Sequence, residues 1–241
     1  MSGSDLEMMS QMGRVPAGTS RHFVWRQWRE RPEQLWFRKA IFQVHLCVGA
    51  VAGAYIFLMS LSGSVIVYRN ELLAHGYSVE PIVTLHTNLA AGPTGRFING
   101  IGAVCLTLLC LTGAVIWWPG VQHWRRSLTV ALDGRFPRLN WDLHSALGFW
   151  CFVFVLIWGV SGTYFCFPAQ FDAIISLGRA DTVADTVSFW LAQLHFGRFN
   201  VFSESLWMVL GLVPAVLAFT GVFICCRRMM LGKPSNPKHS T

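Results

Sequence analysis

Residues 45–63, HLCVGAVAGAYIFLMSLSG, are echoed by residues 144–162, HSALGFWCFVFVLIWGVSG. In both, a histidine opens an apolar run, a glycine follows four residues on (Gly49, Gly148), and the run closes on Ser-Gly. The interval from His45 to Gly63 equals that from His144 to Gly162, at 18 residues (63 − 45 and 162 − 144). His86 and His195 lead into two further apolar runs that close on Thr112-Gly113 and Thr220-Gly221, at intervals of 27 and 26. One unit of two helices is used twice, and self-similarity on that scale marks architecture.

The composition fixes the solvent of this architecture. Of 241 residues, 53% are hydrophobic and only 13% charged, with a mean hydropathy of +0.45, outside the range of an ordinary soluble domain. Crossing the hydrocarbon core takes about 20 mainly apolar residues. Four stretches qualify, approximately 41–68, 97–118, 145–167 and 203–226, and none carries Asp, Glu, Lys or Arg beyond its ends. Lipid cannot satisfy a bare backbone, so such runs must be helices. The expected fold is an all-α integral membrane protein, four transmembrane helices forming a twofold internal repeat of helix pairs. A basic arm (1–40) precedes the membrane domain (41–226), and a basic tail (227–241) follows it.

Lys and Arg set the expected orientation. The arm carries seven, the loop between spans two and three carries four (Arg125, Arg126, Arg135, Arg138) and the tail four, fifteen against four in the two remaining loops. The positive-inside bias therefore predicts that both termini and the middle loop are cytoplasmic. The net charge of +7 then reads as a topology signal and an attraction to anionic lipid, not as a nucleic-acid surface. The arm reads as a polar segment and not as a cleavable signal peptide, with residues 1–20 expected to be disordered. Arg21–Lys39 carries Trp25, Trp28, Trp36 and Phe37 among its arginines, the pattern of an interfacial amphipathic helix interrupted at Pro32. The connecting loops, 69–96, 119–144 and 168–202, leave no space for a further domain.

All seven cysteines fall inside the spans, where they behave as small apolar residues, and no Cys-x-x-Cys-His is present for covalent haem attachment. The histidines carry the chemistry. His45 and His144 stand at the cytoplasmic starts of spans one and three, and His86 and His195 stand on the outer side before spans two and four. A pseudo-twofold bundle brings the members of each pair toward one axis, which suits two bis-histidine haems stacked across the membrane. One histidine at a helix end is ordinarily a solvated or capped residue; four at repeat-equivalent places point to iron. His22, His75, His123 and His239 have no repeat partner and read as surface residues. Zinc would need a closed tetrahedral ligand set, and a proton relay would need intramembrane carboxylates, whereas Asp142 and Glu204 sit only at span edges. Arg96 and Arg198 near the outer pair, and Arg38, Lys39 and Arg138 near the inner, suit either haem propionates or lipid headgroups. The small residues Gly49, Gly53, Ala50 and Ala54 suit either close helix packing or a flat macrocycle.

The stretch Leu85-His-Thr-Asn-Leu89, through Gly95-Arg-Phe-Ile-Asn-Gly100 to Leu111-Thr-Gly-Ala-Val-Ile-Trp-Trp-Pro-Gly120 and Trp124-Arg-Arg-Ser-Leu128, resembles the PepSY-associated transmembrane family of bacterial inner-membrane proteins, which includes ferric-siderophore reductases. Leu143-His-Ser-Ala-Leu-Gly148 to Ser161-Gly162, and Leu194-His-Phe-Gly-Arg-Phe199 to Leu217-Ala-Phe-Thr-Gly221, are similar to the same family. The resemblance covers roughly 40–226. It implies a haem b membrane protein with His45, His86, His144 and His195 as axial ligands, moving electrons to ferric iron or a ferric siderophore outside. Larger members carry PepSY domains in their outer loops, and this chain departs from them there. No Gly-rich dinucleotide fingerprint is present, so the expected donor is quinol or a separate protein. The expectation is an oxidoreductase of the ferric-chelate reductase type. The alternative is a non-catalytic membrane subunit that anchors or assembles a larger redox or transport complex with a membrane-protein partner.

Overall fold

The computed structural model describes residues 25–32, 35–119, 124–176 and 181–231, and every regular element among them is helical. Beyond a short helical segment at residues 25–30, the elements are α1 (Trp36–Ile66), α2 (Arg69–Ala74), α3 (Glu80–Asn88), α4 (Gly92–Trp117), a 3-10 turn (Trp124–Leu128), α5 (Phe136–Trp150), α6 (Phe152–Cys166), α7 (Pro168–Ser176), α8 (Asp181–Phe196), α9 (Val201–Gly211) and α10 (Val213–Leu231). α1, α4 and the run 201–230 are each long and apolar enough to cross a bilayer, and α5 with α6 meets the same measure only as a bent pair, a broken span or a re-entrant loop. Large apolar side chains such as Val51 (87% exposed), Ile101 and Phe219 face outward, the side that lipid covers in a membrane protein. The chain is a multi-pass membrane protein in contact with the bilayer.

α1 is the hub of the bundle. It packs against α4 on one side and against α9 and α10 on another, while α4 also packs against α6 and α10 against α5. Glycines let the backbones close: a Cβ at Gly53 would lie 2.6 Å from Val222 Cγ2, and one at Gly159 would lie 2.6 Å from Thr107 Oγ1 and 3.1 Å from its backbone nitrogen. Of the two readings for Gly53, helix packing is the one seen. α1 starts at Trp36, earlier than the expected 41, after Pro32 has broken the segment before it. Residues 1–24, 33–34, 120–123, 177–180 and 232–241 lie outside the described residues, and with them the expected disorder of the arm, His22, His123 and His239.

The third expected span, 145–167, is not one straight helix. α5 already begins at Phe136, and α6 leaves it at 69° after Cys151, although neither proline nor glycine stands at the break. Aromatic anchors hold the end of α5. Trp150 Nε1 donates to Leu128 O at 3.0 Å, and Phe149 stacks on Trp117 with ring centres 4.3 Å apart. The fourth span is interrupted between α9 and α10, where Pro214 lacks an N–H and its ring disfavours a regular ladder. Ser60 of α1 repairs the gap: its hydroxyl donates to Gly211 O at 2.5 Å and accepts from Ala215 N at 2.9 Å. A side chain thus stands inside one i to i−4 bond and satisfies both backbone groups where water cannot.

Candidate functional site

α3 and α8 each carry a histidine near the C-terminus, His86 and His195. α3 ends after His86 in a tight reversal in which Leu89 (φ 53°), Ala90 (φ 55°) and Gly92 (φ 59°) are all left-handed. The non-glycine members of such a run cost about 1 kcal/mol or more each and persist only where surroundings fix them. The Asn99 side chain does so: its Nδ2 donates to His86 O at 2.8 Å and Thr87 O at 3.0 Å, and Tyr55 Oη in turn donates to Asn99 Oδ1 at 2.5 Å. α8 ends at Phe196, one residue past His195, with left-handed Gly197 beneath Trp207, and Asn200 begins α9 in a reciprocal capping box with Ser203. Trp158 Nε1 donates to His195 O at 3.1 Å, the counterpart of Asn99 at His86.

His45 lies within α1 and His144 within α5, and the bundle brings them together with ring centres 6.4 Å apart. His86 and His195 line one cavity of about 550 Å³ at the other end of the bundle. That volume falls in the usual range for cofactor pockets, about 300–1,000 Å³. Tyr55, Trp158, Phe165 and Trp207 supply much of its apolar wall, and Arg96 and Arg198 stand at it. Arg96 also donates to Phe165 O at 2.6 Å, near the end of α6, and Arg198 lies over the Phe196 ring. At the His45 end Arg38 donates to Ile116 O and Trp118 O at the end of α4, Arg138 pairs with Asp142 at 3.7 Å, and Lys39 is exposed. His75 is exposed and its ring contacts Glu71 O at 2.7 Å, as a surface residue should.

Each of the four histidines meets a hydroxyl of its own at Nδ1. Nδ1 of His45 lies 2.9 Å from Thr112 Oγ1, that of His86 2.9 Å from Ser62 Oγ, that of His144 2.8 Å from Thr220 Oγ1 and that of His195 2.6 Å from Ser161 Oγ. These hydroxyls are the first members of the Ser-Gly and Thr-Gly pairs that close the apolar runs. In three of the four the following glycine gives the ring its space: a Cβ would lie 2.9 Å from His86 Cε1 at Gly63, 3.3 Å from His45 Cε1 at Gly113 and 3.2 Å from His144 Cε1 at Gly221. Gly162 differs, its neighbour being Ala103 Cβ at 3.3 Å. Sequence reasoning took the pairs as markers of the repeat and missed the hydroxyls as partners. Their fixed place in each run was the available signal.

Burial holds the His86 imidazole below its ordinary pKa and pushes that of His195 down to about 3, with the neighbouring His86 adding to the effect. Both rings are therefore neutral at pH 7, the form that binds a metal. Among the described residues no three His, Cys, Asp or Glu side chains gather into a metal cage. What the bundle offers is two imidazoles per site.

Residues 74–181 match the PepSY-associated TM region. The matched PepSY-associated segment contains His86, His144, Thr112 and Ser161, and the internal repeat supplies their counterparts His45, His195, Ser62 and Thr220 outside it. The uncharacterized protein PA4219 of Pseudomonas aeruginosa is 31% identical over 90 residues, an alignment covering 35% of this chain and 21% of that protein. The chain thus spans about a fifth of the length of the curated relative it matches. No solved structure matches the chain.

Proposed function

We propose that the protein carries electrons across a bacterial inner membrane through two b-type haems, held by His45 with His144 near the cytoplasmic face and by His86 with His195 near the outer face. The observation that carries this reading is the spacing of the first pair. A metal–imidazole bond of about 2 Å on each side sets two ring centres roughly 6 Å apart, and His45 and His144 stand at 6.4 Å. The equivalent pair faces a cavity of cofactor size. When bound, haem supplies the one-electron chemistry.

The chain's own residues do the rest. The imidazoles hold the iron positions, Ser and Thr hydroxyls orient the rings, and Asn99 and Trp158 fix the backbone carrying His86 and His195. Tyr55, Trp158, Phe165 and Trp207 keep water from the outer site, and Arg96 and Arg198 are placed to meet carboxylates at its edge. The acceptor is ferric iron or a ferric siderophore on the outer side, and the donor is quinol or a protein, which makes the activity that of a ferric-chelate reductase. The basic arm, middle connection and tail put both termini in the cytoplasm. The test is haem content per chain in detergent, with reduced-minus-oxidised spectra of the wild type and of each His→Ala variant. Two b-type haems are expected, one lost with His45 or His144 and the other with His86 or His195. Colourless protein from haem-replete cells would overturn the proposal.

A further inference from the structure

Each of the four hydroxyls has two duties at once. Ser62 Oγ lies 2.8 Å from Leu58 O, Thr112 Oγ1 2.6 Å from Leu108 O, Ser161 Oγ 2.5 Å from Ile157 O and Thr220 Oγ1 2.7 Å from Val216 O, all carbonyls one turn back in the same helix. A carbonyl only accepts, and a hydroxyl has one hydrogen. That hydrogen goes to the carbonyl, so the hydroxyl oxygen must accept from the imidazole.

We propose that Ser62, Thr112, Ser161 and Thr220 are positioning residues: each locks its histidine as the Nδ1–H tautomer, so that all four imidazoles offer an unprotonated Nε2. Ser62 and Ser161 act on the outer centre, and Thr112 and Thr220 on the inner. The inference rests on the haem reading above and deepens it. A neutral hydroxyl is a weaker acceptor than the carboxylate often found behind a metal-bound histidine, so it fixes ring rotation and tautomer while adding little negative character to the ligand. Each lock lies inside one half of the repeat: α4 braces His45 on α1, α1 braces His86 on α3, α10 braces His144 on α5, and α6 braces His195 on α8. The two centres are therefore tunable separately.

The experiment is a redox titration of the full chain with low-temperature EPR of the oxidised protein, for Ser161→Ala, Ser161→Thr, Thr112→Ala and Thr112→Ser. Loss of the acceptor weakens donation from the imidazole to iron, so Ser161→Ala raises the potential and moves the g-values of the outer centre alone. Thr112→Ala does the same to the inner centre alone, and the hydroxyl-retaining variants restore wild-type values. A purely structural hydroxyl would alter thermal stability and leave potentials and g-values in place, which would overturn the proposal, as would equal shifts at both centres. If the chain purifies without haem, the reading beneath fails separately. The tautomer is then read directly from imidazole 15N shifts, with Nδ1 protonation expected and Nε2 protonation overturning the lock.

Discussion

Gly63→Ala adds one methyl group against a ring that cannot retreat. The new Cβ would lie 2.9 Å from His86 Cε1, closer than carbon atoms normally approach. His86 is held on both sides, its Nδ1 at Ser62 and its carbonyl by Asn99. Two effects compete. Alanine favours the helix over glycine by about 1 kcal/mol, whereas overpacking a tight interior costs about 1–3 kcal/mol. The pinned ring puts this site toward the upper end, for a net loss of up to about 2 kcal/mol. Gly49→Ala in the same helix is the internal control, because its Cβ would meet only Leu109 Cδ2, at 3.7 Å, and should be neutral or stabilising. Gly113→Ala and Gly221→Ala, at 3.3 Å and 3.2 Å from their histidines, should fall between. Thermal unfolding in detergent ranks the four, and the His86 imidazole 15N shift reports whether the ring has moved. If Gly63→Ala melts no lower than Gly49→Ala and leaves that shift unchanged, the close fit of ring to helix is wrong.

Ser60→Ala leaves Gly211 O and Ala215 N without the hydroxyl that bridges them, and should cost about 0.6–1.7 kcal/mol on the scale of polar contacts in membrane helices; Ser60→Cys, also a donor and acceptor, should recover part of it in the same melt. Asn99→Ala frees the carbonyls of His86 and Thr87 and should speed amide exchange across residues 86–92, while exchange in α10 stays at the wild-type rate. Acidification acts on His86 and His195 in the haem-free chain. Their pKa values are depressed on folding, so the unfolded state binds more protons as pH falls from about 6.5 toward about 3, and stability is lost across that window and retained above it. A pH series of melting temperatures that is flat through the window would contradict neutral, buried imidazoles. Gly159→Ala presses on the backbone of Thr107 at the α4–α6 contact and should lower the melting temperature more than Gly148→Ala, whose Cβ would meet only Leu217 at 4.0 Å.

The apolar runs and the four histidines were legible because each is a statement about residue type at a fixed spacing, and a bilayer leaves few alternatives to helices for runs of that length. The 69° break at Cys151 was not legible. The run from Phe149 to Phe154 stays uniformly apolar, and what ends α5 is the contact of Phe149 and Trp150 with Trp117 and Leu128, residues more than 20 positions away. Pro214 announces a weak ladder, but nothing in a linear reading names Ser60, distant by 155 positions from Ala215, as the group that repairs it. Ser62, Thr112, Ser161 and Thr220 were visible yet read only as markers that close each repeated run. Their partners lie across helices, where sequence spacing carries no information about which side chain faces which.

The repeat divides the labour in a way that neither half could achieve alone. Orientation is local: His45 leans on Thr112 and His86 on Ser62 within the first half, His144 on Thr220 and His195 on Ser161 within the second. Pairing is shared, since His45 meets His144 and His86 faces the same cavity as His195 across the seam between halves. That seam is built from the α1–α10 and α4–α6 contacts, where Gly53 and Gly159 let the helices approach. Each half therefore carries oriented imidazoles, and their docking supplies the second member of each pair. The 69° break falls in the second half only, between His144 and Ser161, whereas His45 and Ser62 share the unbroken α1. A bend between the residues that serve the two ends changes the direction from one end to the other in one half alone. The two histidine pairs thus combine matched side chains with unequal scaffolds, one half straight and the other bent.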